Sequence, residues 1–473
     1  HTFTKQRATK KKKKKINIKL SNKIYSRAKE IIPSGSQTFS KGVTQFVEGF
    51  APKYLHRGKG AYSWDVDDNK YLDYVMGCQP LILGYADPEV NKSVINQLKL
   101  GSTFSLMNKL EVDVTELLIK TVPCAESARF GKNGADVTTI AVRIARAITG
   151  RNHIAYCGYH GWHDWYIANT DLDNGIPEFN KKLAHSFNYN DLDSLEKIFK
   201  KNPGKIACVI MEPLTILEPA CYGLKNCKNK SCRKFCKRNF LSEVKKMAHH
   251  YGALLIFDEI ITGFRFSLGG AQELTGVTPD LATFAKAISN AIPLSAVVGK
   301  KEYMSSLKKT FFSFTYGGDC IGLAAAKACI PKIEREKVPL HLDIIGKLLK
   351  DGFNNLAKSH KLEEYVECIG YPCRTIISFN GRGKYNDLEI KSYFQQELFR
   401  RGILWAAYHS LSWSHNEKDI KKTLKAFDEI MGLFKKIIST NLKLRNLIEG
   451  LPVRPVFRQV ADFNYYTRKN NKL

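Results

Sequence analysis

Ala253-Leu254-Leu255-Ile256-Phe257-Asp258-Glu259 is a short apolar run that ends abruptly in two acids. An unbroken apolar run of this length fits a strand covered on both faces. Ile206–Met211 has the same texture upstream, and Phe240–His249 between the two is a helical pattern stopped at Tyr251-Gly252. Val137, Ile140, Ala141, Ile144, Ala145 and Ile148 mark one face of a further helix over Asp136–Thr149, stopped at Gly150. Strands separated by helices predict an α/β fold: a mostly parallel central sheet with helices on both faces. In front, Ala61–Tyr74 alternates around Asp67-Asp68-Asn69 and reads as a hairpin. Beyond residue 331, long helical stretches (Leu340–Lys358, Leu388–Arg401) flank a short strand, Thr375–Phe379, which predicts a smaller α+β domain.

The 473 residues are 44% hydrophobic, enough for a large core, which excludes a wholly disordered or collagen-like chain. No apolar run is long enough for a bilayer, so no membrane partner is expected. The formal charge of +29, from 74 basic and 45 acidic residues, suggests nucleic acid until it is divided by position. Residues 1–20 hold nine Lys/Arg and no acid, including the run Lys10–Lys15, and Lys225 to Arg238 hold seven more. Setting these sixteen aside leaves +13. The charge is concentrated in a tail and a loop rather than on a folded face interleaved with aromatics, so no nucleic-acid partner is expected.

Cys78, Cys124, Cys157, Cys208, Cys320, Cys329, Cys368 and Cys373 are scattered singly, mostly in apolar surroundings. They read as reduced thiols and favour a cytoplasmic protein. The first residue is His1 rather than Met, which leaves targeting open. Cys221, Cys227, Cys232 and Cys236 cluster in the basic loop; four thiolates suffice for tetrahedral zinc, but the two-residue spacing of a zinc knuckle is missing. The segment reads as a surface insertion, and no metal ligand is assigned.

Open α/β sheets take ligands at the C-terminal ends of their strands. Phe130-Gly131-Lys132-Asn133-Gly134-Ala135-Asp136 is a tight turn opening into a helix, able to present backbone N–H groups to an anion or simply to cap the helix through Asn133. Asp258 is a strand-end carboxylate that needs a cationic partner, or a salt bridge, if it is buried. Lys286, in Asp280-Leu281-Ala282-Thr283-Phe284-Ala285-Lys286-Ala287, sits where desolvation should lower its pKa and make the amine a nucleophile. An anion cradle, a carboxylate and a buried lysine are what pyridoxal 5'-phosphate requires.

With these three sites, the chain resembles class III (fold-type I) pyridoxal-phosphate (PLP) aminotransferases, nearest the glutamate-1-semialdehyde 2,1-aminomutase branch, over residues 21–437. The resemblance rests on Trp64-Asp65-Val66-Asp67, Leu83-Gly84-Tyr85-Ala86-Asp87-Pro88, Tyr159-His160-Gly161, Met211-Glu212-Pro213, Asp258-Glu259-Ile260-Ile261-Thr262-Gly263-Phe264-Arg265, Thr278-Pro279-Asp280-Leu281 and Thr315-Tyr316-Gly317-Gly318. It implies that Lys286 forms the Schiff base and moves the proton, while Asp258 keeps the cofactor's ring nitrogen protonated. It also implies that Tyr159 stacks on the ring opposite Ile260, that Asn133, Gly134 and Ala135 meet the phosphate, and that His160 and Glu212 line the pocket. Ala135 stands where a hydroxyl residue is usual. Thr315 would reach the phosphate of a neighbouring subunit, making a homodimer with shared active sites. The expected division is a basic disordered tail (1–20), a segment joining the small domain (21–78), a large PLP-binding domain (79–330, with the Cys-rich insertion at 220–239), and a C-terminal small domain and tail (331–473).

In this resemblance Cys78 takes the place of an aminomutase Trp, and Ser289-Asn290-Ala291-Ile292-Pro293 replaces a glycine-rich gating stretch. Ile261 stands where ornithine- and aminobutyrate-type relatives have Gln. The expected activity is ping-pong transamination from an amino donor such as glutamate to an aldehyde or ketone of a small, sugar-like or other, acceptor. The alternatives are a 2,1-aminomutase and, in another class, a basic binding protein on a degenerate aminotransferase fold. Arg374 and His409 are further pocket candidates, Arg374 either for a substrate carboxylate or in a surface ion pair.

Overall fold

The computed structural model describes residues 16–222 and 238–454. Seven strands form the central sheet in the order Ser127–Gly131, Ser295–Gly299, Leu281–Phe284, Leu254–Asp258, Ile206–Met211, His153–Cys157, Ala184–Ser186. Only Ser295–Gly299 runs antiparallel to its neighbours. The others share one direction, which brings their C-terminal ends to a single edge.

All six residues of Ile206–Met211 are buried, yet they alternate between two cores. Cys208 and Ile210 pack with Leu254, Ile256 and the apolar stripe Val137, Ile140, Ile144 of helix Gly134–Thr149. Val209 and Met211 pack on the opposite face with Leu255, Phe257 and with Phe240 and Val244 of helix Phe240–His250. Covering both faces is what removes the polar alternation from the sequence of these strands. Gly150, at φ 66°, closes helix Gly134–Thr149 in the left-handed conformation that glycine adopts without steric cost.

The hairpin forms as expected, Tyr62–Asp65 against Lys70–Asp73, turning at Asp68 (φ 62°). Its second strand pairs in parallel with Ile403–Leu404, tying the N-terminal segment to the C-terminal part of the chain. There, helices Val338–Ser359, Asp387–Arg400 and Glu417–Ser439 accompany a three-stranded antiparallel sheet, Val366–Tyr371, Arg374–Phe379, Tyr408–Ser410. The expected boundary at residue 331 falls inside helix Cys320–Arg335, which packs on Pro88–Leu100; the turn comes at Lys337 (φ 50°).

Tyr222 N–H donates to Arg238 O at 2.7 Å and Phe240 N–H to Ala220 O at 2.8 Å, so the basic insertion leaves and returns through a paired neck. Cys227, Cys232, Cys236 and the Lys10–Lys15 run lie outside the described residues. Among the described residues no cluster of metal-ligating side chains occurs, and no helix is long and apolar enough to cross a membrane. Cys124, Cys208, Cys329 and Cys368 are buried thiols, and burial pushes Cys208 and Cys368 up to about 12.

Candidate active site

The ends of five of the parallel strands and the turns after them meet in one cavity of about 380 Å³ at the C-terminal edge of the sheet. Asn133, Gly134 and Ala135 come from the first strand and its helix, Tyr159 and His160 from the turn after His153–Cys157, and Glu212 from the end of Ile206–Met211. Asp258 ends the strand Leu254–Asp258 and Ile260 follows it, and Lys286 follows Leu281–Phe284. Of the residues expected at the site from the sequence, all but Thr315, Arg374 and His409 line this cavity; Thr315 is exposed on the segment before helix Cys320–Arg335.

The two strand-end acids have different fates. Glu259 is fully buried and accepts from the Ala271 and Gln272 amides at 2.8 and 3.0 Å and from the Thr262 hydroxyl, so it pins the turn behind the cavity. Asp258 faces the cavity: Oδ1 accepts from Ile260 N–H at 3.1 Å and Oδ2 lies 2.7 Å from His160 Nδ1. With Asp258 ionised, His160 donates from Nδ1, and its buried Nε2 is left without a partner. A buried polar atom without a partner is uncommon outside functional sites.

Lys286 opens a short helical turn with φ 44°, a left-handed conformation costly for a non-glycine residue. Burial, then the nearby charge of Arg374, lowers its ammonium from 10.5 to about 8. Glu212 accepts from Tyr159 N–H at 3.0 Å, and burial followed by the neighbouring Asp258 pushes its carboxyl up. Gly158, at φ 112°, leaves room for that carboxylate: a Cβ there would stand 2.5 Å from Glu212 Oε2.

At the cradle, Asp136 accepts the amides of Lys132 and Asn133 at 3.0 and 2.7 Å. The cap is therefore made chiefly by Asp136, and the Gly134 and Ala135 N–H groups at the helix start line the cavity. A side chain at position 134 would put its Cβ 2.7 Å from Ile260 Cδ1, so only glycine lets the backbone and Ile260 flank one space. Lys132 Nζ is neutralised by Asp319 at 2.7 Å, so the cradle offers N–H groups rather than a free cation. A phosphate fits such a helix start. A protonated ring nitrogen fits Asp258 and an aldehyde fits Lys286, so the residues present suit PLP.

Trp162 lines the mouth and was not singled out by sequence reasoning; the adjacent Tyr159-His160-Gly161 was its only signal. His409 is buried within the small sheet, on strand Tyr408–Ser410, where its Nδ1 meets Thr375 Oγ1 of the paired strand at 2.9 Å, and it does not line the cavity.

The model of the family described as aminotransferase class-III matches residues 48–375. The chain is 36% identical over 434 residues to the 3-aminobutyryl-CoA aminotransferase of Cloacimonas acidaminovorans, covering 90% of this chain and 99% of that protein. It is 30% identical to the glutamate-1-semialdehyde 2,1-aminomutase of Wigglesworthia glossinidia brevipalpis, covering 89% and 99%. The FumI protein of Sphingopyxis sp. MTA144, in its PLP internal aldimine form, superposes with TM-score 0.79 at 25% identity, over 90% of this chain and 99% of that one.

Proposed function

The chain belongs to the class-III aminotransferases, PLP enzymes of fold-type I, and on that premise we propose that it transfers an amino group from a donor such as glutamate to a small aldehyde or ketone by ping-pong exchange. The observation that carries this reading is that Lys286, Asp258 and the Gly134–Ala135 amides meet in one cavity. PLP, when bound, supplies an aldehyde for the incoming amine and a ring that accepts electrons from the carbon being deprotonated. Lys286 Nζ, lowered to about 8, is the base that would take that proton and return it. Asp258 would hold the proton on the ring nitrogen, with His160 fixing the carboxylate through the 2.7 Å contact. Tyr159 and Ile260 would bracket the ring, Asn133, Gly134 and Ala135 would bind the phosphate, and Glu212 would line the substrate side.

We further read this as a cytoplasmic homodimer with shared sites, its division into large and small domains following the two sets of sheets. Leu106, Met107, Phe311 and Tyr316 are all strongly exposed, and the Cys320 amide bonds to Ser102 O, which ties together the segments that carry them. A second copy covering those segments would bring its Thr315 to this phosphate cradle. The relative's activity adds 3-aminobutyryl-CoA to the donors worth screening, beside glutamate, and sugar-like carbonyl compounds stand among the acceptors.

A half-reaction screen tests the reading. Holoenzyme is mixed with single amines while the cofactor's absorbance is followed. A donor that bleaches the band, with recovery on adding a carbonyl acceptor, supports transamination. Turnover of one substrate without any separate donor would instead establish the aminomutase reading, and no bleaching by any amine would refute both.

A further inference from the structure

The strand Leu55–Lys59 pairs antiparallel with Tyr62–Asp65, which pairs in turn with Lys70–Asp73. The register sets Arg57 opposite Trp64, Trp64 opposite Lys70, and Lys59 opposite Tyr62. Residues opposite one another project from the same side of a sheet, so these five side chains share one face. Gly58, Ser63 and Tyr71 alternate with them and point inward, where Ser63 and Tyr71 are buried and the Tyr85 ring covers Gly58. On the outer face the Arg57 guanidinium lies 4.2 Å from the centre of the Trp64 ring and Lys70 Nζ 4.4 Å from that of Tyr62. Lys422, on helix Glu417–Ser439, reaches the same Tyr62 ring at 5.5 Å.

Arg57, Lys59, Lys70 and Lys422 are exposed, and none of them is ion-paired with a described residue. The neighbouring acids are committed elsewhere. Asp419 accepts from the Tyr62 hydroxyl at 2.6 Å and the Asn416 amide at 3.1 Å, and Glu417 pairs with Lys421 at 2.8 Å. Asp67 accepts the Leu20 and Ser21 amides, and Asp68, at the turn, stands 3.9 Å from His56. The chain enters beside that turn, where Asn69 Nδ2 donates to Asn17 O at 2.7 Å, so the run Lys10–Lys15 is tethered a few residues away. The expectation of no nucleic-acid partner rested on the lack of a folded basic face with aromatics among its charges. Residues 57, 59, 70 and 422 are too dispersed in the sequence to announce one.

We propose that this outer face binds single-stranded nucleic acid, at a surface separate from the Lys286 cavity, which none of these residues lines. The four cations meet backbone phosphates, and the two half-buried rings offer stacking platforms, the combination that single strands require. A guanidinium stacked on an indole keeps its outer face and its N–H edge open, so a base continues the stack while a phosphate takes the edge. The bond from the Tyr62 hydroxyl to Asp419 holds that ring in place beforehand, which lowers the cost of binding. An acidic peptide would satisfy the cations and leave the rings unused.

The test follows the fluorescence anisotropy of a labelled oligo(U) of about twelve nucleotides on the full-length holoenzyme, with polyglutamate of equal charge as competitor. The variant Arg57→Gln/Lys70→Gln/Lys422→Gln should bind about tenfold or more weakly and flatten the slope of log affinity against log salt by about 2. Trp64→Leu should weaken oligo(U) by about tenfold and leave polyglutamate binding where it is. The amine half-reaction should run at the wild-type rate in the charge variant, showing it folded. That variant changes only exposed side chains, so it decides the matter even where Trp64→Leu fails to fold. Oligo(U) affinity unchanged in the charge variant would overturn the proposal and assign the binding to the Lys10–Lys15 run. Polyglutamate displacing oligo(U) charge for charge would overturn it in favour of an acidic peptide, and a wild type that does not bind oligo(U) would overturn it outright.

Discussion

On helix Asp387–Arg400, Gln395 accepts from the Val47 amide at 2.9 Å and donates to Gln45 O and Trp405 O at 3.1 Å. Its neighbour Gln396 accepts from the Glu449 amide and donates to Leu447 O, and the Ser392 hydroxyl accepts from Val453 N–H. Glu397, also buried, holds Arg400 and Arg401, and Arg400 reaches on to Glu449. In the Lys286 cavity, by contrast, His160 Nε2 is buried with nothing to bond. Both regions bury polar groups. The helix uses them to clasp the segments 45–47 and 447–453, whereas the cavity keeps its bonding capacity open. Satisfied networks add rigidity and stability, while open ones cost stability until a ligand arrives. Substitutions in the two regions should therefore separate activity from stability.

The sharpest separation is expected from Lys286→Ala. Activity should fall on the order of ten-thousandfold or more, and the reducible cofactor band should vanish. Thermal unfolding of the cofactor-free variant should come no earlier than in wild type, because a desolvated amine has been removed. A large drop in midpoint would mean that Lys286 supports the fold, and the contrast would break. Asp258→Ala should follow, with activity down about a thousandfold through loss of the ring-nitrogen partner. Near-normal turnover would remove Asp258 from that role.

Glu397→Ala probes the other region. It takes the buried carboxylate away from the buried Arg400, and should destabilise the protein by about 3 kcal/mol in urea unfolding. At a temperature where the variant stays folded, its kcat should remain within about twofold of wild type, since Glu397 lies away from the cavity. Lost activity with unchanged stability would reverse the assignment of the two regions.

The two regions also differ in how readable they are. Asp258 and Lys286 are legible because the first ends its own buried strand and the second follows its strand by two residues, so local pattern alone places them at the sheet edge. The sequence cannot say which of Asp258 and Glu259 faces the ligand. That choice is made by the Ala271 and Gln272 amides, which take Glu259 behind the turn. The clasp has no local signature at all, for Gln395 and Val47 meet across most of the chain and each looks unremarkable alone. The same holds for Arg57, Trp64 and Lys70, which line up only through strand register. Asn133 was half legible: a helix start was evident, but the cap is made chiefly by the Asp136 carboxylate.

The pH dependence of Lys286 offers the finest test, and its sign follows from the shift. Burial and the Arg374 charge lower the ammonium from 10.5 to about 8 in the folded protein. Between those values the unfolded chain holds a proton that the folded chain has released, so the stability of the cofactor-free protein should rise with pH across that window. Below about 8 both states carry the proton, and the folded state bears the full burial cost, roughly 3 kcal/mol. Only the neutral amine attacks an aldehyde. PLP uptake by the cofactor-free protein, followed by absorbance, should therefore rise about tenfold per pH unit up to about 8 and then level off. Because Arg374 contributes to the depression, Arg374→Gln should move that bend upward by roughly a unit or less, toward the ordinary lysine value. Glu397→Ala, acting away from the cavity, should leave the bend where it is. A bend unmoved by Arg374→Gln would mean that the charge of the guanidinium does not reach Lys286.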